Sequence, residues 1–178
     1  MAFNVLRSLL PVLVTASLLS PAGAADKISY VPFKAGMVIN ETLGLPSHEC
    51  YWTAPPGGSA ATGDINGSGW STPVGAFTFT STDCITSASP PPYVLPPFTF
   101  SSKTVRLKAS NGDLITAEYE GIATAQPNGS LVLSGTFTFT GGTGKYVGVR
   151  GSGSLDGVED ISTMPAKGFV VLTGRISR

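Results

Sequence analysis

Apolar and polar residues alternate with a period of two along most of this chain. Gly75 to Thr82 reads Gly-Ala-Phe-Thr-Phe-Thr-Ser-Thr, with Phe77 and Phe79 on one side and Thr78 and Thr80 on the other. Phe98 to Phe100 restarts the alternation, and Thr104 to Ala109 carries it on through Val105, Leu107 and Ala109. From Leu114 to Thr124, Ile115, Ala117, Tyr119, Gly121 and Ala123 share one face, while Thr116, Glu118, Glu120 and Ile122 share the other. From Leu131 to Thr140, Leu131, Leu133, Gly135, Phe137 and Phe139 face a core and Ser134, Thr136, Thr138 and Thr140 face solvent. Such runs predict half-buried β-strands. Further strands are expected over Lys27 to Thr42, Lys145 to Asp156 and Gly168 to Ile176.

The connections are equally legible. Asn111-Gly112 is a strong hairpin signal, because both residues tolerate positive φ. Pro127-Asn128-Gly129 turns the chain again, and the Pro-rich Ser87 to Pro97 cannot be a central strand. Leu43 to Ser71, with Pro55-Pro56-Gly57-Gly58 and Asn66-Gly67-Ser68-Gly69, reads as loop. No helical period follows the N-terminal segment. Seven or eight strands in successive hairpins predict an all-β domain, an up-and-down barrel or a sandwich.

Charge narrows the partners. Charged residues are 12% of the 178, and the formal net charge is zero. Nucleic acid is thereby disfavoured, since phosphate binding needs a basic surface. The N-terminus adds a compartment. A short positive stretch to Arg7, an apolar run over Ser8 to Ser20 and Ala22-Gly23-Ala24 form the three parts of a secretory signal peptide. The expected organisation is a signal peptide over 1–24 and a single β domain over 25–178, secreted or periplasmic, with no later membrane span. In that oxidising setting the two cysteines, Cys50 and Cys84, are expected to form a disulfide. A metal site built on His48, Glu49 and Cys50 is the weaker alternative, for want of a paired ligand spacing.

Catalytic motifs are sparse. There is no nucleophile elbow, and His48 is the sole histidine. Glu118 and Glu120 read as solvated strand residues, and Asp113 and Asp156 as turn or strand-end residues. No cofactor is implied.

The stretch Gly141-Gly142-Thr143-Gly144-Lys145-Tyr146-Val147-Gly148-Val149-Arg150-Gly151 is the densest motif. Placed after a Thr/Phe strand, it resembles the signature of the allene oxide cyclase and dirigent barrels. With the turn Ala109-Ser110-Asn111-Gly112-Asp113 it is most similar to secreted bacterial members of that superfamily. The resemblance covers roughly 105–177. It implies an eight-stranded antiparallel up-and-down barrel, a small apolar or phenolic ligand inside it, and a homo-oligomer, since both named families form trimers. The residues expected at the ligand are Tyr119, Phe137, Phe139, Tyr146 and Arg150. In dirigent proteins the motif's Arg belongs to the pocket that orients phenolic radicals, and Lys145, Tyr146, Arg150 and Gly151 match that motif.

Two parities of this strand stay open. If Tyr146 and Arg150 point inward, Val147 and Val149 form an outer apolar stripe suited to a subunit contact. If the valines are core, Arg150 is a surface charge. Tyr51 and Trp52 are expected to pack over the barrel mouth. Three functions follow: a binding or guiding barrel, a cyclase-like enzyme with Arg150 or Tyr119 as polar guides, or a structural protein whose core is filled by phenylalanines.

Overall fold

The computed structural model describes residues 28–177, so the proposed signal peptide lies outside the described residues. Eight strands form one closed antiparallel barrel, each hydrogen-bonded to the next and the last to the first. They are β1 (Tyr30–Gly44), β2 (Ser59–Thr72), β3 (Gly75–Ser87), β4 (Phe98–Ala109), β5 (Leu114–Ala125), β6 (Leu131–Gly142), β7 (Gly151–Asp160) and β8 (Ala166–Ser177). Closure leaves no free sheet edge. The expected eight-stranded up-and-down barrel is therefore the observed fold.

The alternation read from β3 to β6 holds in detail. Phe77, Phe79, Leu107, Ile115, Ala117, Leu133, Phe137 and Phe139 are buried, and their neighbours in sequence are mostly exposed. β4 keeps its inner face on both halves because its pairing with β5 shifts between Ser102 and Val105. That irregularity lets Phe100 and Ser102 point inward before it, and Val105 and Leu107 after it.

Two expectations about the strands are corrected. Much of 43–71 is ordered secondary structure: a short helix α1 (His48–Thr53) and the 14-residue strand β2. The inward positions of β2 are Gly63, Ile65, Gly67, Gly69 and Ser71, so it carries almost no apolar signal. Its glycines instead face large side chains of β1, with Met37 opposite Gly69 and Ile39 opposite Gly67. The second correction concerns 145–156. The chain after β6 makes a 3-10 turn at Gly144–Tyr146, and β7 starts only at Gly151. Strand parity therefore does not apply to 147–150. Val149 is buried, whereas Val147 is 74% exposed. The two valines form no common outer stripe, and that motive for a subunit contact is gone.

The two ends of the barrel differ. At one end lie the turns between β2 and β3 and between β4 and β5, together with the glycine-rich link from β6 to β7. Val74, Tyr146, Val149, Ile115 and Ile176 join the core there and floor the barrel. Gly144 has φ +54, and a β-carbon on it would run into the Asp113 carboxylate. Asp113 in turn accepts a hydrogen bond from the Lys145 backbone N–H at 3.3 Å. The motif thus ties the β6–β7 link to the Asn111-Gly112 hairpin. It is a structural floor.

The other end is open. α1 lies beside β2 and β3 there, held by the disulfide Cys50–Cys84, whose Cα atoms are 5.2 Å apart. Ser47 caps α1 by accepting the Cys50 N–H at 3.2 Å. Tyr51 and Trp52 do not cover the mouth. They are 55% and 71% exposed, and the Trp52 indole donates to His48 Nε2 at 3.0 Å. With Cys50 spent on anchoring the helix inward, its neighbours turn outward. Among the described residues no helix is long and apolar enough to cross a membrane.

Candidate functional site

The upper half of the barrel encloses a slim cavity of about 50 Å³, lined by residues including Phe79, Phe100, Tyr119, Leu133, Phe137, Phe139 and Leu155. This is several times the ~10–15 Å³ that one water needs, but far from the roughly 300–1,000 Å³ typical of drug-sized pockets. Above it lies a second space of about 160 Å³ at the mouth, walled by Leu43, Val94, Pro96, Leu131, Ile161 and Met164. Glu41, Ile85, Phe98 and Glu159 line both. The two spaces therefore meet at a neck that carries two carboxyl groups.

Strand alternation brings these acids inside. Phe33, Ala35, Met37 and Ile39 are the buried series of β1, and Glu41 is its next member. Phe77, Phe79 and Ser81 lead in the same way to Asp83 on β3, and Leu155 leads to Glu159 on β7. Their exposures are 7%, 4% and 4% for Glu41, Asp83 and Glu159. The fold makes space for them with glycine. Gly63 lies across from Asp83 in the β2–β3 register, and the Glu41 carboxyl fills the space above its Cα.

Two hydrogen-bonded groups result. On one side Glu41 and Glu159 bond to each other. On the other, the Tyr119 hydroxyl donates to Asp83 Oδ1. Ser81 Oγ donates to Asp83 Oδ1 at 2.9 Å and lies 2.8 Å from Ser102 Oγ. Ser102 Oγ donates to the Thr82 carbonyl at 2.8 Å.

Burial dominates the electrostatics. It pushes Glu41 up to about 9, with the Glu159 charge and hydrogen bond adding to the effect. It raises Glu159 as well, while the hydrogen bond from Glu41 pulls the other way. Asp83 is pushed up to about 7 by burial, against the lowering effect of its Tyr119 and Ser81 bonds. Tyr119 is raised well above its ordinary range, by burial first and by the neighbouring Asp83 second. Burial therefore favours the protonated form of both carboxyls, and a proton held between them is what lets the pair share a hydrogen bond. One oxygen of Glu159, Oε1, is buried and has no partner.

The residues expected at the ligand separate into two sets. Tyr119, Phe137 and Phe139 line the cavity. Tyr146 is buried in the floor, and its hydroxyl has no partner. Arg150 lies outside the cavity. Its guanidinium Nη1 donates to the Thr140 and Val149 carbonyls at 2.9 and 2.8 Å, and its backbone N–H donates to Ser177 Oγ at 2.8 Å. The Arg closes the link between β6 and β7 from the solvent side.

Phe79, Phe100, Phe137 and Phe139 line the cavity without closing it, while Phe77 packs elsewhere in the core. Motif reasoning missed the three acids because none belongs to a recognisable signature. The signal that could have found them is the inner-face alternation itself, followed past the last apolar residue. Comparison with protein-family models, with curated proteins and with solved structures finds no match.

Proposed function

We propose that this protein is an exported barrel that binds or guides a small, mainly apolar molecule, taken in through the acid-lined neck. The observation that carries this reading is an apolar cavity in the upper barrel that shares Glu41, Ile85, Phe98 and Glu159 with a second space at the mouth. A filled structural core would have no use for three buried acids, since each costs desolvation that apolar side chains would avoid. The likeness of 141–151 to the allene oxide cyclase and dirigent barrels supports the same kind of function. It also supports export and assembly as a homo-oligomer, for which gel filtration with light scattering is the direct test.

The cavity suits a slim molecule such as a single alkyl chain or one phenolic ring. Tyr119, Phe137 and Phe139 would contact its body, and the acids its polar end. A second reading, acid–base guidance of a reactive substrate, rests on Asp83, whose value of about 7 is matched to proton transfer near neutral pH.

Native mass spectrometry of the protein purified from its source tests the binding function. The expected result is a small mass excess that is lost on denaturation. A bare protein that also takes up no added n-octanol would contradict the reading.

A further inference from the structure

We infer that the open end of the barrel docks on a zwitterionic lipid surface, with the mouth turned towards the bilayer. The inference goes beyond the binding reading. It concerns where the barrel sits, and it stands or falls separately from what the cavity holds.

Single exposed apolar residues are ordinary on a protein surface, but here they gather at one end. Leu45, Tyr51, Trp52, Tyr93, Leu95 and Met164 are each more than half exposed, and Leu45 reaches 92%. They come from three of the four segments at the open end, 45–58, 88–97 and 161–165, the fourth being 126–130. The links at the floor expose Val147 alone among the large apolar residues. An apolar ring of this kind marks a contact with a protein or a membrane.

The ring is built, with its backbone pinned from beneath. Thr62 Oγ1 donates to the Leu45 carbonyl at 2.8 Å, Ser59 Oγ to the Tyr93 carbonyl at 2.8 Å and Ser87 Oγ to the Leu95 carbonyl at 2.7 Å. Both serines are buried. The disulfide fixes α1, and His48 takes the Trp52 indole N–H.

These bonds favour lipid as the occupant. Near hydrocarbon an unpaired backbone group is costly, and the carbonyls at three apolar tips are already paired. Five of the ten residues in 88–97 are proline, which has no N–H to desolvate. A protein partner would be met by about one hydrogen bond per 100–200 Å², and the rim offers few free backbone groups for them. Trp and Tyr are the residue types that settle at headgroup level.

Charge selects the kind of lipid. The four segments contain no Lys or Arg and one acid, Glu49. Lys34, Arg106, Lys108, Lys145, Arg150 and Arg175 all lie towards the floor. An anionic surface would therefore draw the wrong end of the barrel, and a zwitterionic one matches the rim. The mouth space, walled by Leu43, Val94, Ile161 and Met164, opens within the ring. In this pose an apolar molecule would pass from lipid to barrel without crossing water.

The test is flotation of the disulfide-bonded protein with phosphatidylcholine vesicles, read together with tryptophan quenching by phosphatidylcholine brominated on its acyl chains. The chain has two tryptophans, Trp52 at the rim and Trp70 on the outer face of β2 towards the floor. Trp70→Phe should be quenched on binding and Trp52→Phe should not. Binding should persist in 1 M salt, where the screening length is about 3 Å. The triple variant Leu45→Ser, Leu95→Ser, Met164→Ser should bind at least about tenfold more weakly with its urea midpoint unchanged, while Val147→Ser binds as the wild type does. Absence of flotation overturns the inference, as does binding that requires anionic phosphatidylglycerol and is lost in salt, or quenching of Trp70 in place of Trp52. A dimer that the triple variant splits, without vesicle binding, would assign the rim to a second copy and also overturn it. Uptake of n-octanol by a protein that does not float leaves the cavity reading standing, and flotation without uptake leaves the docking standing.

Discussion

The Oε1 atom of Glu41 occupies the position that a β-carbon on Gly63 would need. A carboxyl on β1 is thus seated on a bare stretch of β2, and the two positions are usable only together. Gly63 has ordinary backbone angles, so alanine there meets no conformational penalty, only the carboxyl. Gly63→Ala is expected to lower stability by about 1–3 kcal/mol as overpacking. In a Glu41→Ala background the same change should be neutral or mildly stabilising, because alanine is favoured over glycine within a strand. Urea unfolding of the four proteins of this double-mutant cycle measures the coupling. Additive effects would show that Glu41 does not rest on Gly63.

The buried acids give stability a definite pH dependence. Glu41 rises from 4.5 to about 9 and Asp83 from 3.8 to about 7 on folding, and Glu159 rises with them. Each therefore binds its proton more tightly in the folded chain than in the unfolded one. Their contribution is fully present below about pH 4 and is lost as pH rises through the folded values, on the order of 1 kcal/mol per pH unit for each group titrating. Asp160, held below its ordinary value by its bonds to Ser162, acts only beneath that window. The urea midpoint of the ligand-free protein should be higher at pH 5 than at pH 8. Glu41→Gln should remove much of the loss at pH 8. A midpoint that climbs from pH 5 to pH 8 would contradict the protonation states assigned here.

At the floor, Gly144 combines positive φ with the Asp113 carboxylate against its Cα. Valine is strained in that backbone region and would also displace Asp113 from the Lys145 N–H. Gly144→Val should cost at least about 1–2 kcal/mol and lower the thermal midpoint measurably. An unchanged midpoint would show that the floor does not depend on this contact.

The disulfide closes a sequence separation of 34 residues between α1 and β3. The chain-entropy argument assigns such a loop about 3–4 kcal/mol. Thiol titration of the denatured, unreduced protein should find no free thiol, and the Cys50→Ser, Cys84→Ser double variant should unfold at markedly lower urea. Two reactive thiols in the unreduced protein would refute the bridge.

These sites differ in how far the sequence reveals them. The alternation of Phe77, Phe79, Leu107, Ile115, Phe137 and Phe139 exposes the barrel wall, because each pairs a large apolar residue with a polar neighbour. β2 stays hidden because its inner face is Gly63, Ile65, Gly67, Gly69 and Ser71. Small residues there accommodate side chains of β1, a relation between strands that no single window contains. The motif from Gly141 to Gly151 conceals a turn. Its residues look like pocket residues when read as a strand, yet the 3-10 turn sends Arg150 to the surface and Tyr146 into the floor. The acids are hidden for a different reason. Glu41, Asp83 and Glu159 lie at the mouth ends of their strands, where a charged residue ordinarily signals that the chain has left the core.

The central claim is that the upper barrel takes in an apolar molecule through the neck between Glu41 and Glu159. The most direct measurement is an NMR titration of isotope-labelled protein with n-octanol, followed residue by residue. Saturable shifts are predicted at Ile39, Glu41, Tyr119, Phe137 and Glu159, with Arg150, Val147 and the Asn111-Gly112 turn unmoved. Shifts that fail to saturate, or that appear on the outer face while the residues of the neck stay still, would contradict the account.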